Sequence, residues 1–522
     1  MRLLRRNLVM TYAVYAASLA SGLAITPIVV HALGTTAYGL WAFIGAVTVY
    51  LGLLDFGVGP SIIRFGAVQR GRRTPEETSE LASAGLVLYG AIGLLSVAAG
   101  AGLAWLVPVL VDLPDDLVWP ARIAILLVVA GIAARFPLGL FGNLLVAQQR
   151  YDVVNLGNLL SVGLYAGLVV AIFRGDGGIV LLSALALAAT VFRLAFPLAW
   201  LSRELPSLRI RRRLVTRARL RELISFSWNN FLIHIASKVV FSTDVIVVGV
   251  LLGPEAAAFY AIPAKLFQLA FQVGVAGTNL LFPAFAELEG AGETDRQRAF
   301  LLTGLRGGMC VMLLFALPLV LVPDLFIRAW IGEGFGPSTW VMVLLGFTLL
   351  LHQPGQVLSQ YLIARGQNRA LAHAVLAAAG ANVVLSIVLA ETVGLWGVAL
   401  STLVTDVAAM AVLVPQLVLR AAGLSARELA WALVRPVLTA VPLALLLLVL
   451  VARLYDPDTL ASLVPLGVAW VAAFAPIAWL LGLSARERSR STPSTSPARR
   501  RCASSPPPPW AGDSPRRAGA GA

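Results

Sequence analysis

Residues 225–252 read SFSWNNFLIHIASKVVFSTDVIVVGVLL. A helix of about 20 apolar residues crosses the hydrocarbon of a bilayer, and this run is long enough. Yet it carries Asn230, His234, Lys238 and Asp244. At about 100° per residue these four, with Ser227 and Ser237, fall within about 120° of one another. The other side reads Ile233, Ile235, Ala236, Val239, Val240, Ile246 and Val247. A charge at mid-membrane costs roughly 2.5–3.5 kcal/mol on insertion scales, so such residues pair or line a wet cavity. Lys238 and Asp244 sit about 120° apart and are poorly placed to pair with each other. The stripe is read as a cavity lining; helix-packing glue is the plainer alternative.

The whole chain fits that reading. Its 522 residues are 59% hydrophobic and 13% charged, with a mean hydropathy of +0.85. This is the composition of an all-α, polytopic membrane protein. The net charge of +14 invites nucleic acid as a partner, but the arginines lie in loops between apolar runs, a pattern of membrane orientation. Cys310 sits in an apolar run and Cys502 in the tail, so neither a disulfide framework nor a metal cluster is indicated. The basic start MRLLRRNLVM leads into an apolar run to Val30, too long for a signal peptide and read as a retained first span.

Hydropathy gives about fourteen spans, the first two at 8–32 and 38–63. Alternate connections are basic, among them Arg2/Arg5/Arg6, Arg70/Arg72/Arg73, Arg150 and Arg365/Arg369. The opposite ones carry acids, such as Asp112/Asp115/Asp116, Glu255 and Asp456/Asp458. By the positive-inside rule both termini are cytoplasmic in a multi-pass plasma-membrane protein. The expected organisation is a six-helix lobe (1–202), a basic cytoplasmic linker (203–223), a second six-helix lobe (224–420), two additional helices (421–483) and a disordered cytoplasmic tail (484–522). The linker either lies as an amphipathic helix on the inner leaflet or is a plain topogenic loop. The tail has four consecutive prolines at 506–509 and is low in complexity.

The lobes repeat one another. HALGTTAYGLW at 31–41 is echoed by VLLGPEAAAFY at 250–260, placing Gly34 on Gly253 at an offset of 219. The same offset sets Thr11 on Asn230, Tyr15 on His234 and Ser18 on Ser237. Further on, Arg135-Phe136-Pro137 meets His352-Gln353-Pro354 and Gly163 meets Gly380 at 217. Parallel repeats of this kind are related by an axis along the membrane normal and place a substrate site between the halves.

Other polar positions follow the same logic. Lys265, Gln268, Gln272 and Asn279 share one face of the eighth span. Asp55 and Arg64 flank Gly57, Gly59 and Pro60, where a bend is expected that leaves their meeting open. Arg193, Arg306 and Asp406 are lone charges in apolar runs, read as structural. No nucleotide-binding loop, metal cluster or nucleophile elbow is present. The chain therefore reads as a transporter, not an enzyme, with no cofactor beyond a proton or sodium gradient.

LGTTAYGLWAF at 33–43, LLDFGVGPSIIRFG at 53–66, VLLGPEAAAFYA at 250–261 and LLFPAF at 280–285 resemble Wzx-type polysaccharide and oligosaccharide flippases. These belong to the superfamily that also holds multidrug and toxin extrusion transporters and the lipid II flippase. The resemblance covers roughly residues 1–420. It implies two lobes around a central cavity and movement of an undecaprenyl-diphosphate-linked oligosaccharide to the outer leaflet. Its Asp and Arg correspond to Asp55 and Arg64. Expected partners are the lipid-linked oligosaccharide, membrane lipids, a polysaccharide polymerase and glycosyltransferases, and no nucleic acid. Candidate diphosphate partners are His234, Lys238, Lys265, Arg135 and Arg64. Asn230, Gln268, Gln272 and Asn279 suit sugar hydroxyls. Asp55, Asp244 and His352 are candidates for coupling or charge pairing. A drug/cation antiporter, a lipid II flippase and a non-transporting scaffold of a glycan-synthesis complex remain the alternatives.

Overall fold

The computed structural model describes residues 2–72, 75–173, 178–279, 281–454 and 460–477. For residues 226–242 it describes the backbone and not the side chains. The expected tail, 484–522, lies outside the described residues. All regular structure among them is helical, as it must be where no water satisfies a bare peptide group. The first half holds α1 (Arg2–Leu51), α2 (Val58–Arg72), α3 (Pro75–Leu110), α4 (Asp115–Ala147), α5 (Tyr151–Ile172), α6 (Gly178–Ala195) and the short α7 (Leu198–Glu204). The second holds α8 (Arg217–Leu251), α9 (Pro254–Asn279), α10 (Leu281–Gly290), α11 (Thr294–Leu321), α12 (Pro323–Ile331), α13 (Ser338–Ala364), α14 (Asn368–Thr392), α15 (Leu395–Asp406) and α16 (Val414–Ala422). A π-helical segment, Val407–Leu413, joins the last two. α17 (Ala426–Leu454) and α18 (Leu460–Ile477) close the described chain.

Eleven stretches among the described residues are long and apolar enough to cross a membrane. The first, Met10–Arg70, has 61 residues, about three times the hydrocarbon thickness at the helical rise. It is divided at Gly34, whose φ of 74° and ψ of 172° are open essentially to glycine alone. The connection expected at 33–37 thus shrinks to one residue. The bend expected after Asp55 is present: a 3₁₀ turn at Gly52–Asp55 is followed by Phe56 (φ 47°) and Gly57 (φ 79°). α8 and α18 are further helices outside the eleven stretches.

The internal repeat is visible where the lobes touch. Gly253 has a positive φ like its counterpart Gly34. A Cβ on Gly39 would collide with the carbonyl of Pro254 and with Ala258 N, and Ala258 is Gly39 shifted by 219. Phe43 packs onto Gly249, while their counterparts Ile262 and Val30 share one core cluster. Equivalent residues that meet each other, with exchanged pairs on either side, mark a pseudo-two-fold axis through Gly39 and Ala258.

Intrahelical prolines organise the rest. A proline removes the bond to the carbonyl four residues earlier, and membrane proteins refill that acceptor from a neighbouring helix. Pro27 frees Leu23 O, which accepts from Trp330 Nε1 at 2.8 Å. Pro263 frees Phe259 O, which accepts from Ser338 Oγ at 2.8 Å. Pro318 frees Leu314 O, which accepts from Trp470 Nε1 at 2.8 Å. The first bond ties α12 to α1 across the lobes. The third fixes α18, whose Trp470 and Phe474 pack with Ala440 and Ala444 onto Met309, Leu313 and Leu317.

Candidate functional site

The first lobe encloses a cavity of about 280 Å³ lined from α2, α3, α4, α5 and α6. Arg135 and Arg193 both line it, with Asp55, Tyr89, Asn143 and Asn158. Asn143 Nδ2 donates to the Tyr89 hydroxyl at 3.3 Å, and that hydroxyl lies against the Asp55 carboxylate. Gly59 lets the three converge: a Cβ there would sit 3.2 Å from Asn143 Nδ2 and Tyr89 Oη and 3.5 Å from Asp55 Oδ2. Two guanidinium groups therefore share a wall with one carboxylate, and that carboxylate is already engaged by Tyr89. Neither arginine forms an ion pair among the described residues. Two like charges held inside a bilayer-embedded bundle favour an anion between them. Arg193, read from sequence as structural, belongs to this site. Arg64 does not: it lies over the Phe65 ring at 5.6 Å and is absent from the cavity wall.

The second lobe holds a buried polar network. Asp244 Oδ2 accepts from Tyr260 Oη and from Thr402 Oγ1, each at 2.7 Å. Its Oδ1 accepts from Ser386 Oγ at 3.4 Å. Asn382 Nδ2 donates to Thr402 Oγ1 at 3.2 Å and Thr405 Oγ1 at 3.3 Å, while its Oδ1 is buried with no partner. One residue past Thr405, Asp406 Oδ2 lies 2.9 Å from His352 Nδ1. Gln356 Nε2 is 3.0 Å from His352 Nε2, and Phe271 meets the imidazole edge-on at 4.9 Å. Asp406 ends α15 where the π-helical segment begins, a local geometry concentrated at functional sites. These carboxylates, hydroxyls and amide oxygens suit a proton or a hard cation.

A third space is apolar. A cavity of about 350 Å³ is lined by leucines of α1, α9, α11, α17 and α18, with Pro318, Phe326 and Trp470. It lies beside both tryptophan bonds, since Leu23, Leu314 and Trp470 are on its wall.

The sequence-derived candidates thus divide. Arg135 and Asp55 meet in the first lobe, and Asp244 lies among hydroxyls of α9, α14 and α15. His352 is in the same lobe, paired with Asp406. Of the charged stripe on α8, Asp244 is described, and it turns into its own lobe. Lys265 Cε comes within 3.7 Å of a Cβ built on Gly22 of α1, so this lysine faces the partner lobe. Gln268 and Gln272 are exposed. The side chains of Asn230, His234, Lys238 and Asn279 lie outside the described residues. Sequence reasoning missed Arg193, Tyr260, Asn382, Ser386 and Thr402. The only trace of them was polarity in otherwise apolar runs.

The family model for polysaccharide biosynthesis protein matches residues 4–289. The chain belongs to this family. Among solved structures it is similar to an inward-facing multidrug resistance MATE transporter of the MOP superfamily, with a TM-score of 0.65 and 16% identity over 79% of this chain and 96% of that one. It is also similar to the lipid II flippase MurJ in an inward closed conformation, with a TM-score of 0.61 and 13% identity over 90% and 99%. A third is a MOP superfamily transporter from Pyrococcus furiosus described by the reverse polarity of its binding pocket, with a TM-score of 0.53 and 17% identity over 81% and 98%. At these identities the likeness is one of fold. No curated protein matches the chain.

Proposed function

We propose that this member of the polysaccharide biosynthesis family is a flippase. Its cargo is an undecaprenyl-diphosphate-linked oligosaccharide, moved from the cytoplasmic to the outer leaflet of the plasma membrane with both termini inside. The observation that carries the reading is the Arg135/Arg193 cavity. Its excess of positive charge suits a diphosphate, and Asn143, Asn158 and Tyr89 offer hydrogen bonds to sugar hydroxyls. The apolar cavity suits part of a polyprenyl chain. Lys265 adds a positive charge at the lobe contact. The Asp244 network is the place for the coupling proton or sodium ion, held by Asp244, Ser386, Thr402 and Asn382. A polymerase and glycosyltransferases act on either side of such a step. The cation-antiporter reading is disfavoured by two arginines facing one engaged carboxylate.

The test is reconstitution in proteoliposomes with a fluorescent polyprenyl-diphosphate-linked oligosaccharide. Protein-dependent loss of the cargo from one leaflet is expected. Folded, correctly inserted protein that moves no such lipid under either a proton or a sodium gradient overturns the reading.

A further inference from the structure

The segment between α7 and α8 is neither an α-helix nor a free loop: it is extended as far as Arg211 and closes in a 3₁₀ turn at Arg212–Leu214. It runs extended along α3, and Arg211 has φ −143° and ψ 141°. Arg209 N donates to Ser79 Oγ and Arg211 N to Ser83 Oγ, each at 3.1 Å. The spacings match: two extended residues cover about 6.6 Å and four helical ones about 6 Å. Leu205 and Leu208 pack into the core cluster of α2, α3, α4 and α8, and Thr216 caps α8 by accepting from Arg219 N at 3.2 Å. This backbone is a fixed strap.

The strap displays Arg209, Arg211, Arg212 and Arg213, all exposed. The acids around it are engaged elsewhere. Glu204 pairs with Arg150, and Glu80 and Glu222 pair with Arg219. None of the four strap arginines forms an ion pair among the described residues. Ile210, in their midst, is 40% exposed. The strap lies at the start of the apolar stretch Glu76–Leu110, and a helix spanning a bilayer over that stretch would bring it to the headgroup level. A pinned row of cations around one apolar side chain, at that level, is complementary to a leaflet surface.

We propose that the strap, residues 209–213, is a docking surface for anionic phospholipid headgroups, those of the inner leaflet on the orientation given above. It is independent of the cargo. Each arginine that meets an anionic surface strengthens association about fivefold, so four give a clear selectivity even with incomplete engagement.

The test is lipid retention on the full-length protein, from bilayers of equal phosphatidylglycerol and phosphatidylcholine, read by native mass spectrometry. The natural protein is expected to retain phosphatidylglycerol in preference by roughly tenfold or more. The R209Q/R211Q/R212Q/R213Q variant loses the preference, and the corresponding lysine variant keeps it. S79A/S83A, which releases the strap with its charges intact, weakens it. Equal retention by the natural protein and the glutamine variant overturns the proposal. So does displacement of the bound lipid by millimolar glycerol phosphate, which would make the surface a site for a free anion.

Discussion

The bond between Trp330 and Leu23 allows a sharp test of how the lobes are held. Trp330→Phe removes the indole N–H and leaves the carbonyl freed by Pro27 without a donor in apolar surroundings. It also removes volume from a side chain that is 2% exposed. A double-mutant cycle separates the two effects. In Pro27→Ala, residue 27 regains an N–H that bonds Leu23 O within α1, so the indole is no longer required. The volume loss on Trp330→Phe is the same in both backgrounds and cancels. An orphaned buried carbonyl costs about 1–3 kcal/mol, whereas interhelical bonds measured in membranes average about 0.6 and reach about 1.7 kcal/mol. We therefore expect a coupling of about 1 kcal/mol, roughly a fivefold change in the unfolding equilibrium. The assay is reversible unfolding in mixed micelles of the natural protein, both single variants and the double variant. Equal costs of Trp330→Phe in the two backgrounds would refute the idea that the tryptophan is there to satisfy the proline's orphan. Trp470→Phe with Pro318→Ala is expected to behave in the same way.

Three other outcomes follow from the same geometry. Asp244→Asn is expected to remove the dependence of flipping on a proton or sodium gradient while leaving cargo affinity unchanged; measured gradient dependence equal to the natural protein would count against the coupling role. Gly39→Val places a side chain against the Pro254 carbonyl and is expected to lower stability by about 1–3 kcal/mol through overpacking at the lobe contact, checked by the same unfolding assay. Cysteines at Thr36 and Glu255 are expected to label from outside the cell and one at Arg211 only after permeabilisation; the reverse pattern would invert the orientation.

Much of the architecture was legible because the bilayer constrains it strongly. Long apolar runs give helices, and the Gly34/Gly253 pair exposed the repeat because both positions adopt a positive φ that few other residues tolerate. The bend after Asp55 was readable for the same reason. The sites were less so. Helical periodicity groups residues on one helix, as it grouped the polar residues of 225–252. It says nothing about which neighbour that face meets. Asp244 finds hydroxyls from three other helices, up to 158 residues away. His352 and Asp406 are 54 residues apart, and Arg135 and Arg193 lie on different helices. Arg193 and Asp406 looked like lone charges because the groups they meet are distant in sequence. The linker reads as either an amphipathic helix or a plain loop; what the sequence does not show is the pair of serines on α3 that fixes it.

The central claim is that an anionic, lipid-linked glycan is held by the first-lobe arginines while it crosses. The most direct measurement is the flipping of a polyprenyl-diphosphate-linked oligosaccharide by Arg135→Gln and Arg193→Gln at equal protein incorporation. A charge-assisted contact contributes about 1.5–3 kcal/mol, so each variant is predicted to lose roughly ten- to hundredfold in apparent affinity, with Arg193→Lys losing less. Unchanged transport in both glutamine variants would contradict the account.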